Sequence, residues 1–411
     1  MTGPWPRHVP PAYTPLSMGA LSRAALSGLG SGDEELAGFR RLLCARYNAT
    51  DVLLVDSGTH ALDLALRLVV GPVREEATVA LPAYTCYDVA TAAVGARVPI
   101  ALYDLDPNTL APDLDSLARV LSAGARAVVV SSLYGIPVDW EAIERCAAPF
   151  GAKVIEDAAQ GIGSSWRGKP AGSLGSVSVL SFGRGKGWTG GCGGALLVRN
   201  GVTLTAHAEL LGGVLPSRMF GGLPGAKLQW IFGRPSLFGL PAALPWLHLG
   251  ETPYHEPSMA RAMPRSAAVL LDRTLALAEH EAAIRRDGGG QLRGAISRSD
   301  PWRAGTVRLV NPPPDSVAGY LRFPLLVGDG LVGLAGAARA RQLGLAGAFP
   351  TTLGALGAVR ERMVRSGGEA GWPGAGTIVR DLVTLPTHSL VDEREREELM
   401  QLVLQPRSSA R

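Results

Sequence analysis

The sequence has only four cysteines, and none of them stands in a Cys-x-x-Cys pair or near a histidine at metal-binding spacing. This pattern argues against a disulfide framework and against a zinc site, so no metal is predicted. It suits a reducing compartment, and the predicted location is the cytoplasm. The proline-rich N-terminus lacks the apolar core of a signal peptide, and there is no run of about 18 apolar residues. Neither secretion nor a membrane span is therefore predicted.

Charged residues are also scarce, at 18% of the 411 residues, whereas 46% are hydrophobic. A chain of this composition can bury a large core and divide into two domains. The 40 basic and 36 acidic residues give a net charge of +4 and are spread along the whole chain. Because they form no basic stripe, a nucleic-acid partner is not predicted. The charge balance says little else about partners, although it would suit an anionic small substrate.

Short β-branched runs alternate with helical patterns between residues 52 and 200. The predicted strands are 52–55, 78–81, 98–103, 127–131, 154–156, 177–181 and 195–198. Amphipathic helices are predicted at 61–68, 114–121 and 140–148. This alternation predicts an α/β fold with a mostly parallel central sheet and helices on both faces. Ligands of such folds bind beyond the carboxyl ends of the strands.

The domain organisation predicted from composition has three parts: an N-terminal arm (1–27), a large domain (28–262) and a small C-terminal α/β domain (263–411). Residues 203–257 form an insertion rich in glycine, proline and aromatic residues. In the small domain we expect a helix at 266–286, a loop at the three glycines 288–290, and a strand at 320–327. A charged amphipathic helix is expected at 394–404.

A polar turn, Ser57-Gly58-Thr59, follows the first predicted strand and opens a helix. The first N–H groups of a helix are free and lie at the positive end of the helix dipole, which suits a bound phosphate. Taken alone, these three residues are also typical of an ordinary helix cap and turn.

Two carboxylates, Glu156 and Asp157, end the strand predicted at 154–156. Because side chains alternate along a strand, only one of them can face a ligand at this edge, and Asp157 is the predicted one. A carboxylate there can keep a pyridine nitrogen protonated. The alternative is a helix cap or a salt bridge.

A single lysine, Lys186, lies in a polar turn between two predicted strands and precedes a run of glycines. A lysine that forms a Schiff base needs backbone close around it, and glycine permits this because it has no Cβ. The alternative is a surface lysine in a flexible loop. Together, the phosphate anchor, the carboxylate and the lysine match the three groups by which proteins hold pyridoxal 5'-phosphate (PLP).

This combination of motifs resembles the DegT/DnrJ/EryC1/StrS family, the sugar-aminotransferase branch of fold-type I PLP enzymes. Three of its motifs match, at Ser57 to Leu62, Glu156 to Gln160, and Ser181 to Lys186. The resemblance implies that Gly58, Thr59 and Ser181 bind the phosphate, Asp157 the pyridine nitrogen and Gln160 the ring-hydroxyl side, and that Lys186 carries the cofactor and is catalytic.

The sequence departs from the family pattern at three places. Where the family has an aromatic residue that stacks on the cofactor ring, this chain has Cys86, so either a neighbouring tyrosine or the sulfur covers the ring. The glycine run after the lysine contains Cys192 in place of the usual glutamate. The asparagine that the family sends into the phosphate site of a partner subunit aligns loosely with the segment Met259-Ala260-Arg261, and Arg261 is a candidate for that contact.

The resemblance implies an aminotransferase that moves an amino group, from glutamate, to a keto group of a nucleotide-linked sugar or a related carbonyl substrate. It also implies a role in polysaccharide biosynthesis. A homodimer is implied. One alternative is a PLP-dependent dehydratase, although relatives of that kind replace the lysine with histidine. A second alternative is a regulatory protein that binds PLP without turnover.

The insertion at 203–257 has two interpretations. It is either a lid that packs on the dimer or a contact for a membrane or lipid-linked substrate. The second interpretation depends on exposed aromatic and basic side chains, namely Trp230, Phe232, Phe238, Trp246, Lys227 and Arg234.

Overall fold

The computed structural model describes residues 7–28, 33–73, 75–204, 213–242, 253–334, 336–364 and 371–405. The strands of these residues are β1 (Asp51–Val55), β2 (Val79–Pro82), β3 (Ile100–Tyr103), β4 (Ala127–Ser131), β5 (Lys153–Asp157), β6 (Ser165–Trp166), β7 (Lys169–Pro170), β8 (Val177–Ser181), β9 (Gly194–Val198), β10 (Val307–Leu309), β11 (Ser316–Val317), β12 (Phe323–Val327), β13 (Ala346–Gly347) and β14 (Leu382–Leu385).

The helices of the described residues alternate with these strands in the first half of the chain. They are α1 (Met18–Ser27), α2 (Glu34–Tyr47), α3 (Gly58–Val70), α4 (Tyr87–Ala96), α5 (Leu114–Ser122), α6 (Trp140–Ala147), α7 (Leu223–Phe232), α8 (Pro235–Ala242), α9 (Arg265–Ile296), α10 (Asp300–Arg303), α11 (Ala337–Gln342), α12 (Gly357–Arg360), α13 (Pro373–Asp381) and α14 (Glu393–Leu404).

A seven-stranded sheet in the order β1-β9-β8-β5-β4-β2-β3 is built from strands between Asp51 and Val198. Only β9 runs against its neighbours, and the other strands are parallel to one another. The predicted α/β fold with a mostly parallel sheet is thereby confirmed. All seven predicted strands are present, with ends that differ by one or two residues.

Helices cover both faces of this sheet, which explains why its strands are apolar along their whole length. On one face, Leu62 and Leu66 of α3 pack in the same core cluster as Val79 and Leu81 of β2. On the other face, Leu117 of α5 packs with alternate residues of the same strands. Burial of both faces leaves the carboxyl edge as the place where polar side chains emerge.

Helix α9 runs from Arg265 to Ile296, so the loop predicted at Gly288 to Gly290 is wrong. Glycine usually weakens a helix, but here it allows close packing between chain segments. A Cβ on Gly288 would lie 3.0 Å from the carbonyl oxygen of Thr387, and one on Gly289 would lie 2.3 Å from the ring of Tyr320. The glycines therefore mark a contact surface of the helix and not its end.

The C-terminal part contains an antiparallel sheet in the order β10-β12-β14-β13. The strand predicted at 320–327 begins only at Phe323, because Tyr320 has a positive φ of 42° and takes no part in the ladder. The predicted terminal helix is present as α14, and Asp392 and Glu395 form a capping box at its start. The domain boundaries stay a prediction.

The insertion contains the short helices α7 and α8. Trp230, Phe232 and Phe238 are half-buried, contrary to the expectation that they are exposed. The guanidinium of Arg234 lies 4.6 Å from the centre of the Trp230 ring, and Phe238 packs edge-on against His8. Trp246 lies outside the described residues. Among the helices of the described part, none combines the length and the apolar character that a membrane crossing requires.

Candidate active site

A cleft opens at the carboxyl edge of the central sheet. The six residues predicted from the sequence all line it, namely Gly58, Thr59, Asp157, Gln160, Ser181 and Lys186. They come from different strand ends and from the start of α3, and the parallel arrangement of the strands brings them together. Thr85, Cys86, Asp88 and Ser131 line the same cleft.

One end of the cleft is formed by the first turn of α3. The Ser57 hydroxyl caps this helix by accepting a hydrogen bond from the His60 amide at 3.1 Å. The Gly58 and Thr59 amides occupy the first helical positions, where the helix itself supplies no acceptor. The end of β8 lies so close that a Cβ on Gly58 would be 2.5 Å from Cβ and 2.7 Å from Oγ of Ser181. Two backbone amides and a hydroxyl thus form a compact site for an anion.

Asp157 lies at the floor of the cleft and is 9% exposed. Its carboxylate accepts hydrogen bonds from the Ser131 hydroxyl at 2.8 Å and from the Ala159 amide at 3.1 Å. Burial raises the pKa of Asp157, while these hydrogen bonds and the positive charge of Lys186 act in the opposite direction. A cationic ligand group placed against this carboxylate would stabilise its ionised form.

Glu156 points to the other face of the sheet, as the alternation of side chains predicts. It is 1% exposed, and its carboxylate accepts hydrogen bonds from the amides of Gly172 and Leu174 and from the hydroxyl of Ser178. This carboxylate therefore holds the loop between β7 and β8 and has no part in the cleft.

Lys186 stands in a loop that is anchored on both sides. The neighbouring Trp188 is buried against the ring of Phe182, and its indole N–H donates to the carbonyl of Leu271 at 2.9 Å. The Gly187 amide donates to the hydroxyl of Thr14 at 3.2 Å, so the N-terminal arm also contacts this loop. The lysine is thus fixed at its base, and its side chain lines the cleft.

Gln160 is oriented by the backbone of the opposite wall. Its Oε1 accepts a hydrogen bond from the Tyr134 amide at 2.6 Å. Because the carbonyl oxygen is engaged there, the side-chain NH₂ group is the part of Gln160 that remains to donate into the cleft.

Cys86 lines the cleft. It stands at the position where the family that this sequence resembles usually has an aromatic residue. The neighbouring tyrosines do not take its place, because their hydroxyl groups are hydrogen-bonded elsewhere. The Tyr84 hydroxyl lies 2.8 Å from the Tyr134 hydroxyl, and the Tyr87 hydroxyl lies 2.8 Å from the Thr351 hydroxyl. Both rings pack near Phe349 instead. Of the two alternatives, the structure therefore favours the sulfur. Burial raises the pKa of the Cys86 thiol to about 12, so it is a neutral group.

Sequence reasoning missed Ser131 and Thr85. Ser131 ends β4 directly opposite Asp157 in the ladder, and its hydroxyl links Asp157 to Thr85, at 2.8 and 3.4 Å. A polar residue at the end of a buried parallel strand was the available signal, since such residues share one edge of the sheet.

Residues 17–212 match the DegT/DnrJ/EryC1/StrS aminotransferase family, which confirms the resemblance over this part of the chain. Among curated relatives, the chain is 32% identical over 196 residues to 3-amino-5-hydroxybenzoate synthase of Amycolatopsis mediterranei, covering 47% of this chain and 50% of that protein. It is 34% identical over 195 residues to dTDP-3-amino-3,4,6-trideoxy-alpha-D-glucose transaminase of Streptomyces venezuelae, covering 46% and 48%. The chain thus spans about half the length of these relatives.

The likeness to solved structures extends over nearly the whole chain. The sugar aminotransferase CalS13 of Micromonospora echinospora superposes with a TM-score of 0.72 at 21% identity, covering 96% of this chain and 99% of that one. At this level of identity the match establishes the fold, and it confirms the predicted fold-type I architecture.

The contact between Gly58 and Ser181 predicts the effect of adding a single methyl group. Gly58→Ala should lower the free energy of unfolding by about 1–3 kcal/mol, because the new Cβ must displace the end of β8. Gly225→Ala is the matched control, since a Cβ there meets nothing within 4 Å. Denaturant unfolding of both variants measures the difference, and equal stability would contradict the tight contact.

Proposed function

We propose, from the match of residues 17–212 to the aminotransferase family and from the geometry of the cleft, that the chain is a PLP-dependent aminotransferase. The proposal depends mainly on one observation. Lys186, Asp157 and the closely packed pair Gly58 and Ser181 all line the same cleft. Each group alone has an ordinary structural explanation. Their common location at the carboxyl edge of a parallel sheet does not follow from capping, ion pairing or loop flexibility.

The residues fit this cofactor chemically. The two hydrogen bonds to Asp157 come from neutral groups, a hydroxyl and an amide, so its buried carboxylate can still take a cationic partner such as a protonated pyridine nitrogen. The first turn of α3 presents amides to an anion, and the close approach of Ser181 leaves no room for a side chain at position 58. We therefore assign Gly58, Thr59 and Ser181 to the phosphate and Asp157 to the nitrogen.

When bound, PLP supplies a ring that accepts the electron pair released as a substrate C–H bond breaks. Asp157 would keep a proton on the ring nitrogen, and Gln160 would donate its NH₂ group towards the ring hydroxyl. Cys86, which also lines the cleft, would offer a neutral sulfur to the ring. The Nζ of Lys186 would hold the cofactor, and the same amine would move a proton at the substrate carbon.

The presence of lysine at position 186 favours transamination over the dehydratase alternative, in which that position is a histidine. A protein that only binds PLP would retain the anion site and Asp157 without needing a lysine that lines the cleft. We infer an amino-acid donor, glutamate, and an acceptor that is a keto sugar or a related carbonyl compound, nucleotide-linked as in the name of the Streptomyces venezuelae relative. The cytoplasm remains the proposed location, and polysaccharide biosynthesis the proposed context.

We also propose that the protein is a homodimer. Several large apolar side chains among the described residues between 218 and 259 are exposed, including Met219 at 63%, Leu228 at 55% and Met259 at 61%. Met259 borders a concave surface that includes His60, the residue that follows Thr59 in the anion site. A second copy related by a two-fold axis would bury this apolar surface beside the site.

Replacing the lysine tests the central assignment. Lys186→Ala should abolish both the absorbance of the covalently bound cofactor and the transfer of amino groups from glutamate, because no other amine replaces Nζ. The exposed Lys169→Ala is the matched control and should behave as the unmodified protein. Absorbance spectra and a coupled glutamate assay give the two readouts. Normal turnover by Lys186→Ala would refute the assignment.

The role of the carboxylate is tested by Asp157→Asn, which keeps the size of the side chain and its contact with Ser131. Turnover should fall by about a hundredfold to a thousandfold, because a charge positioned against the nitrogen is lost. Cofactor retention after gel filtration separates catalysis from binding. If the variant lost the cofactor yet reacted normally when PLP was added in excess, Asp157 would be an anchor only.

The dimer is tested by sedimentation at micromolar concentration. Met259→Arg should shift the protein towards the monomer, because a charge placed in an apolar interface is desolvated without a partner. Val332→Arg is the control, since Val332 is 89% exposed and lies outside the 218–259 segment. A fully active, monomeric unmodified protein would show that the subunit contact does not exist.

A further inference from the structure

The surroundings of Asp157 disfavour the negative charge of its carboxylate. Burial raises the pKa of Asp157, and the like charge of Asp88 raises it further, whereas the positive charge of Lys186 lowers it. Two more titratable side chains, Cys86 and Tyr103, interact with Asp157. Both are neutral, because burial raises the pKa of the thiol to about 12 and raises the pKa of the phenol as well. The ionised form of Asp157 therefore depends on the hydrogen bonds that it accepts.

Two neutral donors hold the Asp157 carboxylate, one on each oxygen. The Ala159 amide donates to Oδ1 at 3.1 Å, and the Ser131 hydroxyl donates to Oδ2 at 2.8 Å. In the part of the chain that the structure describes, Ser131 is the one side chain that donates a hydrogen bond to this carboxylate. Because hydrogen bonds prefer the directions of the oxygen lone pairs, a donor on each oxygen fixes the plane of the carboxylate.

A second hydroxyl, that of Thr85, supports the first one. Its Oγ1 lies 3.4 Å from the Oγ of Ser131. A hydroxyl has one proton and an ionised carboxylate only accepts, so Ser131 gives its proton to Asp157 and Thr85 donates to Ser131. The serine is 8% exposed and the threonine 1%, and hydrogen bonds in such a buried chain polarise one another. Thr85 therefore orients the serine hydroxyl and strengthens its hydrogen bond to Asp157.

The backbone of the central sheet fixes the serine relative to the carboxylate. Ser131 and Asp157 are paired at the ends of β4 and β5, and just beyond this pair the Ser132 amide donates to the Asp157 carbonyl at 3.2 Å. The side chains of Thr85, Ser131 and Asp157 all line the cleft. The two hydroxyls are therefore held in place at the part of the cleft that we assign to the ring nitrogen.

We propose that Ser131, oriented by Thr85, is a positioning residue that fixes the plane of the Asp157 carboxylate and keeps it ionised. The inference rests on the proposed aminotransferase function. A hydrogen bond to the charged form of an acid favours that form, whereas burial and a like charge disfavour it. Without the serine hydroxyl, Asp157 would take up a proton at a higher pH, and a neutral carboxyl group offers no charge to a protonated ring nitrogen. Ser131 thus sets the lowest pH at which the cofactor is held and used.

The first test measures cofactor binding without turnover. Pyridoxamine 5'-phosphate has the ring and the phosphate but forms no bond with Lys186, and its affinity for the cofactor-free protein is measured by calorimetry from acidic to mildly alkaline pH. The affinity should fall on the acid side as Asp157 takes up a proton. In Ser131→Ala this fall should begin about one to two pH units higher, because a hydrogen bond to a charged group is lost. The same pH dependence in both proteins would overturn the proposal.

Variants of similar size separate hydrogen bonding from packing. Ser131→Thr keeps the hydroxyl and should retain the pH dependence of the unmodified protein. Ser131→Cys replaces the hydroxyl with a weak donor and should shift the fall in affinity in the same direction as Ser131→Ala, so it decides the question if Ser131→Ala does not fold. Thr85→Val should give a smaller shift of the same sign. Equal shifts in Ser131→Thr and Ser131→Cys would show that the hydroxyl is not the cause.

Ser164→Ala is the matched control for the loss of a buried hydroxyl. Ser164 is 3% exposed, and its hydroxyl donates to the carbonyl of Gly161 at 2.6 Å, outside the set of residues that line the cleft. This variant should bind pyridoxamine 5'-phosphate with the pH dependence of the unmodified protein. A shift like that of Ser131→Ala would assign the effect to a general loss of stability and contradict the proposal.

The second test follows the donor half-reaction over the same pH range. L-glutamate is added to the PLP-loaded protein, and the loss of the absorbance of the lysine-bound cofactor gives kcat/KM at each pH. In Ser131→Ala the acid limb of this profile should move to higher pH, in parallel with the limb measured by binding. A loss of rate that is equal at every pH would indicate a merely structural role of Ser131 and would overturn the proposal.

These measurements separate the failure of the two proposals. If the unmodified protein neither binds pyridoxamine 5'-phosphate nor develops the absorbance of a lysine-bound cofactor, the proposed function fails. If it does both, and the acid limbs of Ser131→Ala coincide with those of the unmodified protein, only the role of Ser131 fails.

Discussion

The parallel pairing of β4 with β5 is the constraint on which the site depends. It sets Ser131 opposite Asp157, so that the hydroxyl of one strand end holds the carboxylate of the next in a buried position. The same edge receives Ser181 from β8 and the start of α3 from β1. Because side chains alternate along each strand, a shift of one residue in this register would turn Asp157 to the other face and Glu156 into the cleft.

The N-terminal arm connects the lysine loop with the C-terminal part of the chain. Thr14 accepts from the Gly187 amide, the carbonyl of Tyr13 lies 3.5 Å from Arg285 Nη1, and the carbonyl of Pro10 lies 2.8 Å from His388 Nε2. These contacts hold the segment after Lys186 against α9 and against the loop that follows β14. The position of the lysine is therefore determined by residues far away in sequence.

Of the three departures from the family pattern, Cys86 is the one that lines the cleft. Cys86 offers a small neutral sulfur where a flat aromatic ring is usual, and the tyrosines on either side are engaged with Tyr134 and Thr351. A smaller side chain at this position would bear on which substrates fit, while the six predicted residues still line the cleft.

The sequence by itself determined the α/β fold, the seven central strands and the six residues that line the cleft, because strand periodicity and short motifs at strand ends are local signals. It did not determine the path of α9 through Gly288 and Gly289, where the need for close contact with Thr387 and Tyr320 outweighs the weak helix propensity of glycine. Nor did it reveal Ser131 and Thr85, which line the cleft beside Asp157. Their roles depend on contacts between residues that are far apart in the chain, which only the tertiary structure decides.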